Sequence, residues 1–352
     1  MAEHLAARIM MTAQQASISA GKEPRSRPSR SRVSHPVQDL LLWRVPLGLV
    51  SVIFVGVLTY LATRILPGDA AQAVLGQFAT PEAVAALREK LGLNQGLLPG
   101  LFSWFGDFIS GKYGDSLAAR IPVTDVVIPR LQNSAVLVII VALTSTLIGI
   151  VGGVIAAHRR DGLFDDTASV IALVVSALPE FVVGVFVIFI FSVGILDWFP
   201  AVSIISPEER IWDQPIKLVL PVLTLVIVTT PYMFRMVRAA MIEALTSDYA
   251  EVAQLKGASS ARLLFRHALP NAVAPAIQVF GLNLLYLAGG IVLVETVFQY
   301  PGIGLALAGA VQTRDVPVLQ FIVVLLAIFY VGLNILTDLF VLLSTPRRRA
   351  PR

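Results

Sequence analysis

Apolar runs set the pattern of the chain. Six are long enough to cross a bilayer, which takes about 20 apolar residues. They lie at roughly Val45–Leu66, Ser134–Ala157, Thr167–Ile195, Ile216–Met236, Ala272–Val297 and Val318–Leu343. None alternates strictly between apolar and polar positions, so they read as helices and not as barrel strands. One stretch between the fourth and fifth runs is too polar to be a span: Asp248–Pro270, DYAEVAQLKGASSARLLFRHALP. It reads as helix, Gly turn, helix, stop. Asp248 with Glu251 fits a capping box. Gly257 falls where a left-handed C-terminal residue is wanted. Ser259 or Ser260 can cap a second helix, and Pro270 can end it.

Composition agrees with a membrane protein. Of 352 residues, 56% are hydrophobic and 14% charged. Mean hydropathy is +0.78. A soluble domain of this size cannot hide so much apolar surface. The fold class expected is all-α and polytopic, with six transmembrane helices. Cysteine is absent, which excludes disulfides, thiol catalysis and Cys-ligated metal. The net charge of +4 is no nucleic-acid signature, because the basic residues sit at span ends and in one tail.

Charge gives the orientation. Arg25, Arg27, Arg30, Arg32 and Arg44 precede the first span. Arg159 and Arg160 occupy the second-to-third link. Arg235, Arg238, Lys256, Arg262 and Arg266 occupy the fourth-to-fifth, and Arg347, Arg348, Arg349 and Arg352 end the chain. The alternate links are poorer, with Arg210 and Lys217 in one and Arg314 in the other. The positive-inside rule puts both termini and the polar hairpin in the cytoplasm. Residues 1–39 read as a disordered basic tail, and a true start at Met10 or Met11 fits the sequence as well.

The outer segment from Pro67 to Asn133 is too long for a plain loop. Thr80-Pro81-Glu82 begins a helix that should stop at Gly92. LLPGLFSWFGDFISG reads as an interfacial amphipathic helix, with Trp104 and Phe105 suited to the headgroups. The third span carries Leu178-Pro179-Glu180 near mid-membrane. Two roles fit Glu180 equally: lining a cavity, or hydrogen bonding to a neighbouring span. Pro221 and Pro231 in the fourth span point weakly to irregular helices near a pathway. Gly149, Gly152, Gly153, Gly289 and Gly290 read as close helix contacts. Glu295 and Asp338 read as interfacial or paired acids.

Catalytic chemistry is missing. GDFISGKY at Gly106–Tyr113 has the spacing of a phosphate loop, but Tyr113 stands where Ser or Thr would bind magnesium. PGIGLALAG lacks the third Gly of a dinucleotide fingerprint. The histidines His4, His35, His158 and His267 form no ligand cluster. Uphill movement would need energy from another chain. A capped hairpin suits that need, since Tyr249, Val252, Ala253, Leu263 and Leu264 offer an apolar face to a grooved partner. A connector packed on its own bundle fits the same residues equally.

The hairpin resembles the EAA loop of ABC-importer permeases. Glu251-Val252-Ala253, Gly257, His267 and Leu269-Pro270 fall at its anchor positions. Val252 and His267 depart from the general pattern, but the whole run looks like the variant of the dipeptide/oligopeptide/nickel branch. Leu66-Pro67-Gly68-Asp69, LREKLGLNQGLL, GKYGDSL, Glu295–Phe298, Tyr300–Gly304 and Asp338 with Pro346-Arg347 extend the likeness to the first permease subunit of a pair.

The resemblance implies a type I importer permease fold, with a membrane domain at 40–346 and a basic cytoplasmic end at 347–352. It implies a bacterial cytoplasmic (inner) membrane location, a second homologous permease, two ABC ATPases and an extracytoplasmic solute-binding protein. ATP and magnesium would be bound by the ATPases, not by this chain. The ATPases would dock on Tyr249, Glu251, Ala253, Lys256, Gly257, Leu263, Arg266, His267 and Pro270. The path would involve Pro179, Glu180 and Pro221. The cargo would be di- or oligopeptides, with glutathione or a nickel chelate as alternatives. A secondary transporter would need paired intramembrane charges and inverted repeats, and the sequence displays neither. A polytopic enzyme would need a nucleophile and base that cannot be assembled from this sequence.

Overall fold

The computed structural model describes residues 36–65, 80–90, 95–205, 209–259 and 262–344. Most of the basic tail, Leu66–Asp69, the Gly92 stop and the terminal arginines lie outside the described residues. The helices, in chain order, are α1 (Pro36–Ile65), α2 (Pro81–Lys90), α3 (Leu97–Ile109), α4 (Val123–His158), α5 (Leu163–Ser176) and α6 (Glu180–Ile188). They continue with α7 (Val219–Leu245), α8 (Asp248–Leu255), α9 (Leu269–Val297), α10 (Ile303–Gln312) and α11 (Val316–Ser344). Among the described residues no strand forms beyond one isolated bridge, Asp115 to Pro122.

Among the described residues, five helices are long and apolar enough to cross a membrane: α1, α4, α7, α9 and α11. The sixth crossing is not the continuous helix expected at Thr167–Ile195. It breaks at Ala177–Pro179, and α5 meets α6 at 106°. Pro179 is extended (φ −61°, ψ 142°) and caps α6. A proline has no N–H for the helix and disfavours α geometry in the residue before it. The break still carries the chain across. Asp165 in α5 bonds Arg238 near the inner end of α7, while the Ser203 amide bonds the Phe298 carbonyl beyond the outer end of α9.

Three other helices outrun their expected bounds, α1 by starting at Pro36 instead of Val45. α4 starts at Val123, eleven residues before Ser134, so the outer segment is shorter than expected. α7 runs on past Met236 to Leu245 and delivers the chain directly to the hairpin. A tenth helix, α10, lies between the fifth and sixth spans, where no helix was expected.

Small residues bring α4 onto α7. A Cβ added at Gly153 would lie 2.8 Å from the Phe234 carbonyl oxygen and 2.9 Å from Val237 Cβ. One at Gly149 would lie 2.6 Å from Met233 Cβ. Gly290 likewise faces Glu180, but a Cβ at Gly289 would meet nothing within 4 Å, so that glycine makes no helix contact. The outer core joins Leu137 and Val141 of α4, Val183 of α6, Leu225 of α7 and Leu287 and Ile291 of α9. The inner core joins Met233, Val237 and Met241 of α7 with Leu264, Ala268 and Val279. α7 is the central helix: 56% of its most apolar window is buried, against 22% for α1. The apolar faces left open, such as Phe54, Leu143 and Phe186, suit a hydrocarbon solvent.

The outer side is tied down by carboxylates. Glu295 is fully buried and accepts hydrogen bonds from the Ser134 hydroxyl (2.5 Å) and the Gly304 and Leu305 amides (2.7 and 3.1 Å). It thus caps the N-terminus of α10 from α9. The Tyr300 hydroxyl donates to the Asn133 carbonyl at 2.7 Å, and burial raises its pKa. Asp315 accepts from the Ser116 hydroxyl (2.5 Å) and the Leu117 and Ala118 amides (3.1 and 3.2 Å), clasping the outer segment to the start of α11. Trp104 and Phe105, expected at the headgroups, are half-buried. They pack on Gly56 of α1, and Trp104 lies 5.8 Å from the Tyr60 ring. Leu98, Phe102 and Ile109 form the exposed apolar face of α3 instead. At the inner end, Asp338 pairs with Arg44 of α1 at 3.1 Å.

Candidate functional site

The polar hairpin joins the inner ends of α7 and α9. Only Thr246 and Ser247 separate α7 from α8. Ser247, and not Asp248, is the N-cap residue (ψ 154°). Its hydroxyl turns back to the Ala244 carbonyl at 2.6 Å. Glu251 is therefore the fourth helical residue, one place too late for a capping box. Asp248 and Glu251 still put negative charge at the N-terminal end of α8, where the dipole favours it.

Gly257 ends α8 with φ +80°. The Gly257 amide donates to Gln254 (2.9 Å) and the Ala258 amide to Ala253 (3.0 Å). These are the two bonds of a Schellman motif. Ser259 then accepts from the Arg262 amide at 3.4 Å. The second arm is a π-helical turn, Leu263–Ala268, which passes without a stop into α9. The expected stop at Pro270 is absent because Pro270 lies in the first turn of α9, where the helix needs no N–H from it. The hairpin is therefore helically continuous with α9 and joined to α7 through Thr246 and Ser247 alone.

Side chains sort into two faces. Ala250, Leu263 and Leu264 are buried. Leu264 packs with Met241, Ala244 and Val279. Leu263, expected on the docking face, is only 3% exposed and belongs to the anchoring face. Tyr249, Val252, Leu255 and Phe265 stay open, Leu255 at 81%. Around them Glu251, Lys256, Gly257, Arg262, Arg266 and Pro270 are exposed, and Ala253 is half-buried. The His267 side chain lies outside the described residues. Leu255 and Phe265 were legible as apolar residues at helical spacing, yet they were missed for want of a way to tell inward from outward.

A second cluster lies at the break of the third span. Glu180 is half-buried, and one carboxylate oxygen accepts from the Tyr286 hydroxyl of α9 at 3.1 Å. The rings of Tyr286 and Tyr232 of α7 are 6.0 Å apart. Pro179 is exposed beside them. Pro221 is not part of this surface. It is buried in the first turn of α7, where proline disturbs no helical hydrogen bond. Behind the hairpin, Arg238 forms a two-pronged ion pair with Asp165, which is 1% exposed and also accepts from the Asp161 amide at 3.1 Å. That pair fixes the α4–α5 turn to α7. Among the described residues no group of three metal-ligating side chains gathers.

Comparison with known proteins places this multi-span bundle in a family. Residues 149–350 match the family described as "Binding-protein-dependent transport system inner membrane component". Residues 38–138 match the corresponding N-terminal family. A probable peptide ABC transporter permease protein of Sinorhizobium fredii strain NBRC 101917 / NGR234 is 36% identical over 84% of this chain and 94% of its own. A putative peptide transport system permease protein of Brucella abortus strain 2308 is 32% identical over 88% of this chain and 98% of its own. Glutathione transport system permease protein GsiC of Escherichia coli K12 is 33% identical over 86% of this chain and 96% of its own. In fold, the chain is similar to a chain of the inward-facing MetNI methionine ABC transporter, with TM-score 0.50, 19% identity, and coverage of 61% of this chain and 94% of that one. The chain therefore belongs to the binding-protein-dependent transport system inner membrane components, as a multi-pass helical ABC-importer permease of the bacterial inner membrane.

Proposed function

We propose that this chain is one of two homologous permease subunits of an ATP-driven peptide importer, itself without catalytic activity. Two ABC ATPases dock on the hairpins, bind ATP and magnesium, and move α7 and α9 when they close. An extracytoplasmic binding protein delivers the peptide to the outer face. The observation that carries this reading is the exposure of Tyr249, Val252, Leu255 and Phe265 on the hairpin, with Lys256, Arg262 and Arg266 exposed on the same hairpin. Exposed apolar side chains beyond the span ends have no lipid to cover them, so a protein groove must. Relatives named for peptides and for glutathione, a tripeptide, are similarly distant from this chain, and both favour a short peptide as cargo. The test is the double substitution Leu255→Glu, Phe265→Glu in the full complex. The expected result is normal membrane insertion, loss of the ATPases on purification, and loss of peptide uptake. ATPases that stay bound would refute the docking role, and a wild-type complex that takes up no peptide would refute the cargo.

A further inference from the structure

Glu180 is unusual in its setting. It is the one acidic residue in the broken third crossing beyond the inner end of α5, and a carboxylate at this depth is costly unless it faces protein or water. Its depth follows from its neighbours. α7 runs from Val219 to Leu245, so Tyr232 has thirteen residues on either side and sits at the helix midpoint. Tyr286 is three residues past the midpoint of α9 (Leu269–Val297), residue 283. Glu180 bonds Tyr286 and therefore lies level with the middle of α7 and α9. Among the described residues no Lys, Arg or His pairs with it.

The surroundings are built around that carboxylate. The break at Ala177–Pro179 aims the start of α6 at α9. Gly290 admits it: a Cβ there would lie 3.1 Å from the nearer Glu180 oxygen. A Cβ at the neighbouring Gly289 would meet no described atom within 4 Å. Tyr286 supplies a hydroxyl, and Tyr286 and Tyr232 present two half-exposed rings (37% and 50%) to the same side. An uncompensated carboxylate, flanked by aromatic faces and an open glycine step, is the chemistry that receives an ammonium group.

We propose that Glu180, Tyr286 and Tyr232 form a transient subsite within the bundle for the α-ammonium group of the transported peptide. This deepens the peptide-importer reading and rests on it. Glu180 takes the charge, the Tyr286 hydroxyl holds the carboxylate in place, and the two rings cover the cation during passage. Selection at this point is for a free amino terminus, not for side chains.

The experiment uses the complete importer in proteoliposomes. A short peptide and its des-amino analogue are each preloaded on the binding protein. Uptake per ATP hydrolysed is measured for wild type, Glu180→Gln, Glu180→Asp and Tyr286→Phe. Glu180→Gln keeps the shape and can still accept from Tyr286, but it removes the charge. It should lower uptake of the free-amine peptide about tenfold, the scale of one hydrogen bond to a charged group, and leave the analogue unchanged. Glu180→Asp should recover part of the loss, and Tyr286→Phe should lose less than Glu180→Gln. Equal uptake by Glu180→Gln and wild type overturns the subsite. So does equal loss for both cargoes, which would mark a structural role. A wild-type complex that moves neither cargo overturns the peptide reading itself.

Discussion

Gly257→Ala isolates the backbone geometry on which the hairpin turns. A methyl at 257 would meet nothing within 4 Å, so packing contributes no penalty. What changes is the cost of φ +80°. An L-residue in the left-handed region costs roughly 1–2 kcal/mol. Alanine also reduces the freedom of the opened chain, which offsets about 0.4–1 kcal/mol. The middle values leave about 0.8 kcal/mol, a factor of roughly four in the local opening equilibrium. The bonds at stake are Gly257 to Gln254 and Ala258 to Ala253, at 2.9 and 3.0 Å. Hydrogen exchange of residues 254–259, followed by mass spectrometry in a lipid nanodisc, reads that opening directly. Exchange should speed up about fourfold in Gly257→Ala and much less in Gly257→Asn, since Asn tolerates this region. Unchanged exchange in the alanine variant, or faster exchange with Asn than with Ala, would refute the reasoning.

Other perturbations separate the roles of the remaining contacts. Asp165→Asn leaves Arg238 without its buried partner and should destabilise the protein by about 3 kcal/mol, the low end for a broken buried pair. Thermal unfolding in detergent measures this, and Asp165→Asn with Arg238→Gln should recover part of the loss. Gly153→Leu must push α4 off the Phe234 carbonyl and should cost about 1–3 kcal/mol. Gly289→Ala, in open space, should be neutral or stabilising by up to about 1 kcal/mol through helix propensity. Asp315→Ala releases Ser116, Leu117 and Ala118 together and should expose the 112–122 loop to protease added from outside, while the span region stays intact.

Hydropathy made the long spans legible because bilayer thickness fixes their length, whatever they pack against. The hairpin was legible for a different reason. Gly257 and its flanking polar residues carry a local turn code, and the observed Schellman bonds obey it. Features set by tertiary contact were not. Pro270 looks like a stop until the π-helical turn before it places it in a first helical turn. Leu263 and Leu255 are both apolar hairpin residues, and only the tertiary arrangement decides that one is buried and the other open. Pro179 announced an irregularity, but the 106° bend depends on how α6 seats against α7 and α9. α10 is too short for a hydropathy signal, and its start depends on Glu295, eight residues upstream of Ile303.

The central claim is that the open face of the hairpin receives an ATP-hydrolysing partner. A photo-crosslinking amino acid at Leu255, 81% exposed, tests it in the assembled importer, with the same probe at Leu264, 7% exposed, as control. A crosslink from 255 to an ATPase subunit is expected, with a yield that changes when ATP is added, and none from 264. A probe at 255 that labels only this chain or lipid, in a complex that still imports peptide, would contradict it.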